Sequence, residues 1–192
     1  MIAGLGLFTA IVVVLQLTGA AIKFGMFSIT LTLAPIIIGA ALYGVIAGAW
    51  LGLAFGVAVL ISGDAAPFLA ISPAGTVAVV LLKGALAGVA AALVYKAIEK
   101  KSTLAAVITS GIAAPVVNTG IFVLGCYLFF MPVINEWATA AGAENAGKFI
   151  ITGIVGINFL VELAVNLVLS TVIVRIITVL KKQMSRDKTI EA

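Results

Sequence analysis

Ile157-Asn158-Phe159-Leu160-Val161-Glu162-Leu163-Ala164-Val165-Asn166 sets three strongly polar side chains into a run that is otherwise apolar. Asn158, Glu162 and Asn166 recur every four residues, so on a helix they stack along one face. The flanks, 150–157 and 167–177, are almost wholly apolar. A carboxylate and two amides in the middle of a membrane-spanning helix are costly to expose to lipid. They face a protein interior or a water-filled cavity, and by default they mark a functional site.

The rest of the chain agrees with a membrane setting. Of 192 residues, 64% are hydrophobic and 9% charged, against about 25% charged in soluble domains. The long apolar runs approach the roughly 20 residues needed to cross about 30 Å of hydrocarbon. Helices satisfy their own backbone hydrogen bonds, and the alternating ten-residue segments of a membrane β-barrel are missing. The expected fold is an all-α integral membrane protein, a single domain over 1–192 with six spans at about 3–20, 33–43, 46–62, 74–95, 104–130 and 148–180. No basic segment precedes the first apolar run, so no cleavable signal peptide is expected.

Several function classes fall away. The chain has no histidine and one cysteine, Cys126, so an internal disulfide, the common His/Cys metal sites and a Ser-His-Asp or Cys-His catalytic set are ruled out. No GxxxxGK[ST] phosphate loop occurs. A non-enzymatic protein without cofactor or metal is expected. Lys96, Lys100 and Lys101 share one short connection, and Arg175, Lys181, Lys182, Arg186 and Lys188 gather near the C-terminus. The positive-inside rule makes these segments, and with six spans both termini, cytoplasmic. Orientation in the bilayer accounts for the cations without nucleic acid.

Three connections then face outward: 21–32, 62–73 and 132–147. Alternation from Phe27 to Leu33 suggests an extended segment, Pro115 is expected to kink the fifth span, and the C-terminal tail is expected to fray. Gly44, Gly48, Gly52 and Gly56 form a four-residue ladder, with Gly84 and Gly88 as a further small pair. Such ladders let helix backbones approach closely, either within the chain or against a partner.

Counting the helical rise from the outer ends places Lys83 roughly 15 Å, Asn118 roughly 18 Å and Glu162 roughly 21 Å down. Three spans thus bring rare polar residues to similar depth. A ligand cavity lined by Asn118, Asn158, Glu162, Asn166 and Lys83 is one reading, with Gln16, Thr30 and Thr32 near its mouth. A structural Lys83–Glu162 pair and an ion or proton relay through Glu162 are the others. Aromatic residues are sparse around the expected pocket, and no cage of rings is foreseen. Trp137 and Asn145 are candidates for a lid, Trp137 equally for an interfacial anchor.

The stretches Phe27-Ser28-Ile29-Thr30-Leu31-Thr32-Leu33-Ala34-Pro35, Leu42-Tyr43-Gly44-Val45-Ile46-Ala47-Gly48, Leu82-Lys83-Gly84-Ala85-Leu86-Ala87-Gly88 and Pro115-Val116-Val117-Asn118-Thr119, set in six short spans, resemble the substrate-binding S-component of energy-coupling-factor (ECF) vitamin transporters, in the branch with riboflavin, folate and pantothenate carriers. The resemblance implies high-affinity capture of a small water-soluble vitamin from outside. It also implies two kinds of partner, a transmembrane coupling subunit and two cytoplasmic ATPases, and toppling in the bilayer to release the ligand. The family's Ala-xxx-Ala docking pair in the first helix falls on Gly6 and Ala10, with glycine in place of the first alanine. Gly44, Gly48 and Gly52 are expected to extend that docking surface. A small ion- or proton-coupled secondary transporter using Glu162 is the alternative.

Overall fold

The computed structural model describes residues 2–20, 23–24, 27–28 and 31–190. Thr30 and parts of the 21–32 connection lie outside the described residues. Helix α1 (Ile2–Gly19) leads to a two-residue antiparallel hairpin, β1 (Lys23–Phe24) with β2 (Phe27–Ser28), in which Lys23 pairs with Ser28. Helices α2 (Leu33–Tyr43) and α3 (Val45–Ser62), the one-turn α4 (Ala66–Leu69), and α5 (Pro73–Ile98) follow. Next comes α6 (Thr103–Gly125), which runs through a π-helical turn, Cys126–Phe130, into α7 (Met131–Ala140). The last segment is α8 (Ala146–Phe149), a second π-helical turn, Ile150–Val155, and α9 (Gly156–Ile190).

Five continuous helical segments are long and apolar enough to cross a membrane: Ile2–Gly19, Val45–Ser62, Pro73–Ile98, Thr103–Ala140 and Ala146–Arg186. Helix α2 is shorter and sits at the centre. Every residue from Leu33 to Ala40 is buried, and α1, α3, α5, α6 and α9 all pack against it. A helix that is apolar on every side has no face to give to water, and the bundle closes around this one. Large apolar residues such as Leu7, Leu82, Leu128, Leu160 and Val168 stay exposed on the outer faces, where lipid covers them.

Helices α3 and α5 meet backbone to backbone. A methyl group at Gly48 would strike the Gly88 carbonyl, and one at Gly52 the Gly84 carbonyl. The same holds in reverse for Gly84 and Gly88, and a methyl group at Gly56 would come within 2.9 Å of Val80 O. The expectation that Gly48 and Gly52 form a partner-docking surface is corrected: both are buried in a seam within the chain. Gly44 serves the turn between α2 and α3, where φ of 87° with an extended ψ suits glycine alone. Gly6 and Ala10 are exposed on α1, and a side-chain carbon at Gly6 would meet nothing within 4 Å.

One further expectation changes. The 132–147 connection is helical for most of its length, because α6 does not stop at residue 130. Pro132 has no N–H to give the Leu128 carbonyl, and the chain passes it through the wider π turn instead of ending. The C-terminal segment is described as helix as far as Ile190, which leaves the expected fraying of the tail untested. At this basic end Lys181 donates to Glu99 Oε2 at 2.5 Å and stands 5.0 Å from the Tyr95 ring.

Two apolar clusters organise the interior. The larger surrounds α2. The smaller joins Phe68, Phe130, Ile134, Ala138, Ile150 and Ile154 around the two π-helical turns. A cavity lined by residues of both clusters lies between them.

Candidate functional site

A cavity of about 90 Å³ opens in the half of the bundle away from the basic loop. One water needs only about 10–15 Å³, so this space has room for several waters or a small solute group. Its polar wall comes from five elements. Helix α1 gives Gln16, the turn after α3 gives Asp64, α5 gives Thr76 and Lys83, α6 gives Asn118 and Thr119, and α9 gives Asn158 and Glu162. Its apolar wall includes Phe55, Phe68, Phe122, Phe130 and Phe159.

The helical register explains the convergence. Asn158 and Glu162 are one turn apart on α9, and Asn118 and Phe122 one turn apart on α6, so each pair faces the same way. Thr76 and Lys83 lie seven residues apart on α5, again on one face. Asp64 arrives differently: α3 ends at Gly63 with φ of 86°, a left-handed cap that reverses the chain. Asp64 Oδ2 then accepts a hydrogen bond from Gln16 Nε2 at 2.8 Å, tying the rim of the cavity to α1.

Lys83, Asn118, Asn158 and Glu162 therefore share one cavity, but Thr32 and Asn166 are not among its lining residues. Thr32 is fully buried where the chain enters α2. Asn166 lies one turn beyond Glu162 and donates from Nδ2 to the Gly111 carbonyl of α6 at 3.4 Å. These two positions are buried outside the cavity lining. Asp64, Thr76 and Thr119 join the site without having been foreseen, and so do the phenylalanines. Thr119 beside Asn118, and Phe122 one turn after it, were the available signals.

The chemistry of the wall is mixed. Lys83 Nζ stands 5.4 Å from the centroid of Phe122 and 5.7 Å from that of Phe55, within the range in which ring faces attract a cation. Asn118 and Glu162 are each only 5% exposed and Thr76 1%. Among the described residues Asn118 Oδ1 and Thr76 Oγ1 find no hydrogen-bond partner. A buried polar atom without a partner costs about 1–3 kcal/mol, and a ligand that meets it recovers that cost.

Aromatic rings close the far side. Phe68, on α4, packs edge-on against Phe122 at 5.3 Å and Trp137 at 5.8 Å, and tilted against Phe130 at 4.9 Å. Trp137 is thus held in the protein by α4 and is half-buried. Asn145 caps α8, its Oδ1 accepting from the Lys148 backbone at 2.8 Å. Among the described residues no group of His, Cys, Asp and Glu is arranged to hold a metal ion.

A bundle of apolar helices around a small, polar, half-aromatic cavity defines a membrane-embedded solute-binding protein. The model of the ECF transporter substrate-specific component family matches residues 1–174. The chain belongs to that family: it is a multi-pass cell-membrane protein and the substrate-binding subunit of an ECF transporter. No curated protein and no solved structure matches it.

Proposed function

We propose that this subunit captures a small water-soluble vitamin or related micronutrient from outside the cell and delivers it inward as part of an ATP-driven importer. Asn118, Asn158, Glu162 and Lys83 hold the ligand by hydrogen bonds and charge, and the Phe68–Trp137 cluster covers it. Gly6 and Ala10, on the open face of α1, dock on a transmembrane coupling subunit whose two ATPases supply the energy. The termini and the basic 96–103 connection lie on the cytoplasmic side.

The observation that carries this reading is the cavity itself. It is reached by polar groups from α1, the α3–α4 turn, α5, α6 and α9, with Asn118 Oδ1 and Thr76 Oγ1 left for a guest. A purely structural polar cluster would close on itself.

Native mass spectrometry of the purified protein, followed by reconstitution with coupling subunit and ATPases, tests the proposal. A vitamin-sized adduct is expected, lost on Asn118→Ala, together with uptake that needs ATP. Uptake by this chain alone in liposomes, driven by a pH gradient, would overturn it in favour of an ion-coupled carrier.

A further inference from the structure

Thr9, Thr18, Thr109, Thr139, Thr152 and Thr178 each donate their hydroxyl to the carbonyl four residues back, at 2.7–2.9 Å. A threonine within a helix commonly satisfies itself this way. Thr76 on α5 has the same option in the Ser72 carbonyl, which accepts the Thr76 backbone N–H at 2.9 Å. Its hydroxyl does not take it. Thr76 is 1% exposed, lines the cavity, and its Oγ1 has no partner among the described residues.

We infer that Thr76 is a specificity-determining contact. Its hydroxyl reads one polar group of the guest, a hydroxyl, carbonyl or amide, while Asn118 reads a second group, a hydrogen-bond donor. The guest thus carries two separate hydrogen-bonding groups. This inference rests on the solute-capture reading and adds a residue to those that hold the solute.

The chemistry of the two atoms sets what each can read. Asn118 is 5% exposed and its Oδ1 also lacks a partner among the described residues. That oxygen accepts only, so it calls for an N–H or O–H, whereas the Thr76 hydroxyl can donate as well as accept. Buried polar atoms of this kind cost stability in the empty protein, and a guest that meets them removes the cost.

Their heights in the bundle keep the two groups apart. Gly75 lies against the Phe129 side chain and Gly125 against Val79, so Thr76 stands beside the end of α6 farthest from the basic loop. Asn118 lies about two turns deeper than Gly125, too far for one functional group to reach both residues.

Calorimetry on the intact protein in lipid nanodiscs tests the inference. The probes are pantothenate, riboflavin and folate, with any compound that native mass spectrometry identifies in the purified protein. Thr76→Val keeps the shape of the side chain and removes the hydroxyl; Thr76→Ser keeps the hydroxyl. For the tightest probe, Thr76→Val is expected to weaken binding roughly tenfold, and Thr76→Ser to stay within about threefold of the unaltered chain. Stability without ligand separates a contact from a structural hydroxyl. Removing a hydroxyl that has no partner leaves nothing unsatisfied, so the ligand-free unfolding midpoint of Thr76→Val should hold or rise. Combined with Asn118→Ala, the losses of affinity should multiply, as they do for independent contacts.

A lower ligand-free midpoint for Thr76→Val, or its failure to fold, marks a hydroxyl that the fold itself uses and overturns the inference. So does unchanged affinity, or a loss in Thr76→Ser as large as that in Thr76→Val. Losses that do not multiply overturn the assignment of two separate groups. The two readings fail separately. Unchanged affinity in Thr76→Val beside a loss in Asn118→Ala removes Thr76 and leaves solute capture standing. No adduct and no bound probe removes both.

Discussion

Asn166 donates its side-chain amide to the Gly111 carbonyl, the one carbonyl of α6 that Pro115 deprives of its helical donor. In an α-helix the oxygen of residue 111 accepts from the N–H of residue 115, and proline has none. Helix α9 supplies the missing hydrogen bond from 55 residues further along the chain. The asparagine that looked like the inner end of a binding ladder thus repairs a break in its neighbour.

The first prediction follows from that pair. Asn166→Ala should lower stability by about 1–3 kcal/mol, because it leaves a buried carbonyl unsatisfied. Ligand affinity should stay unchanged. In Pro115→Ala the backbone N–H returns, and the cost of removing Asn166 should shrink. A double-mutant cycle in denaturant-induced unfolding measures the coupling. Independent, additive losses would show that the two residues do not share the Gly111 oxygen.

The glycine seam gives a second prediction. Gly52→Ala drives a methyl group into the Gly84 carbonyl, and neither backbone can yield without separating α3 from α5. Overpacking of this kind costs about 1–3 kcal/mol, read as a lower midpoint in thermal unfolding. Gly6→Leu projects into open space and should change stability by no more than about 0.5 kcal/mol. It should nevertheless weaken co-purification with the coupling subunit. Equal stability losses for the two variants would contradict the division between seam and docking face.

How much of this was legible beforehand depends on what a helix can encode. The shared depth of Lys83, Asn118 and Glu162 follows from the fixed rise per residue, so three isolated polar positions were enough to place them together. A ladder such as Gly44 to Gly56 shows that something comes close and not what. Its partners, Gly84 and Gly88, could be identified only from the packing. Asp64 looked like an ordinary turn residue because its position depends on the left-handed Gly63, which a sequence does not display as a direction. The phenylalanines were hidden for another reason. In helices that are apolar on every side, an inward ring and a lipid-facing ring have the same flanks. Thr32 and Asn166 show a third limit, since polarity marks burial and leaves open whether the partner is a ligand or a backbone.

A third prediction concerns the polar wall. Asn118→Ala and Asn158→Ala should each weaken ligand binding by about 1–3 kcal/mol, the usual loss for a buried hydrogen bond. Of the two, Asn118 should matter more, being the more deeply buried and carrying an acceptor with no partner among the described residues. Calorimetry on whichever vitamin copurifies with the protein checks both. Unchanged affinity for Asn118→Ala would take that residue out of the site.

The last prediction concerns closure. Phe68 is 3% exposed, and its ring touches Phe122, Phe130 and Trp137 together. It sits on the single turn α4, held between the glycine cap at Gly63 and the Ser72 cap of α5, where Ser72 Oγ accepts from the Gly75 backbone at 3.3 Å. So short a helix has little stability of its own, and its place over the cavity depends on that ring. Phe68→Ala removes the anchor while leaving Asn118, Asn158, Glu162 and Lys83 untouched. Affinity differences of this kind reside mainly in the dissociation rate. Stopped-flow measurement should therefore show release accelerated by about tenfold or more, with association changed much less. Phe68→Leu should lie between Phe68→Ala and the unaltered chain, because it fills part of the same space. If Phe68→Ala instead slowed association and left release unchanged, α4 would be shaping the entrance, and Trp137 on α7 would be the better candidate for the cover.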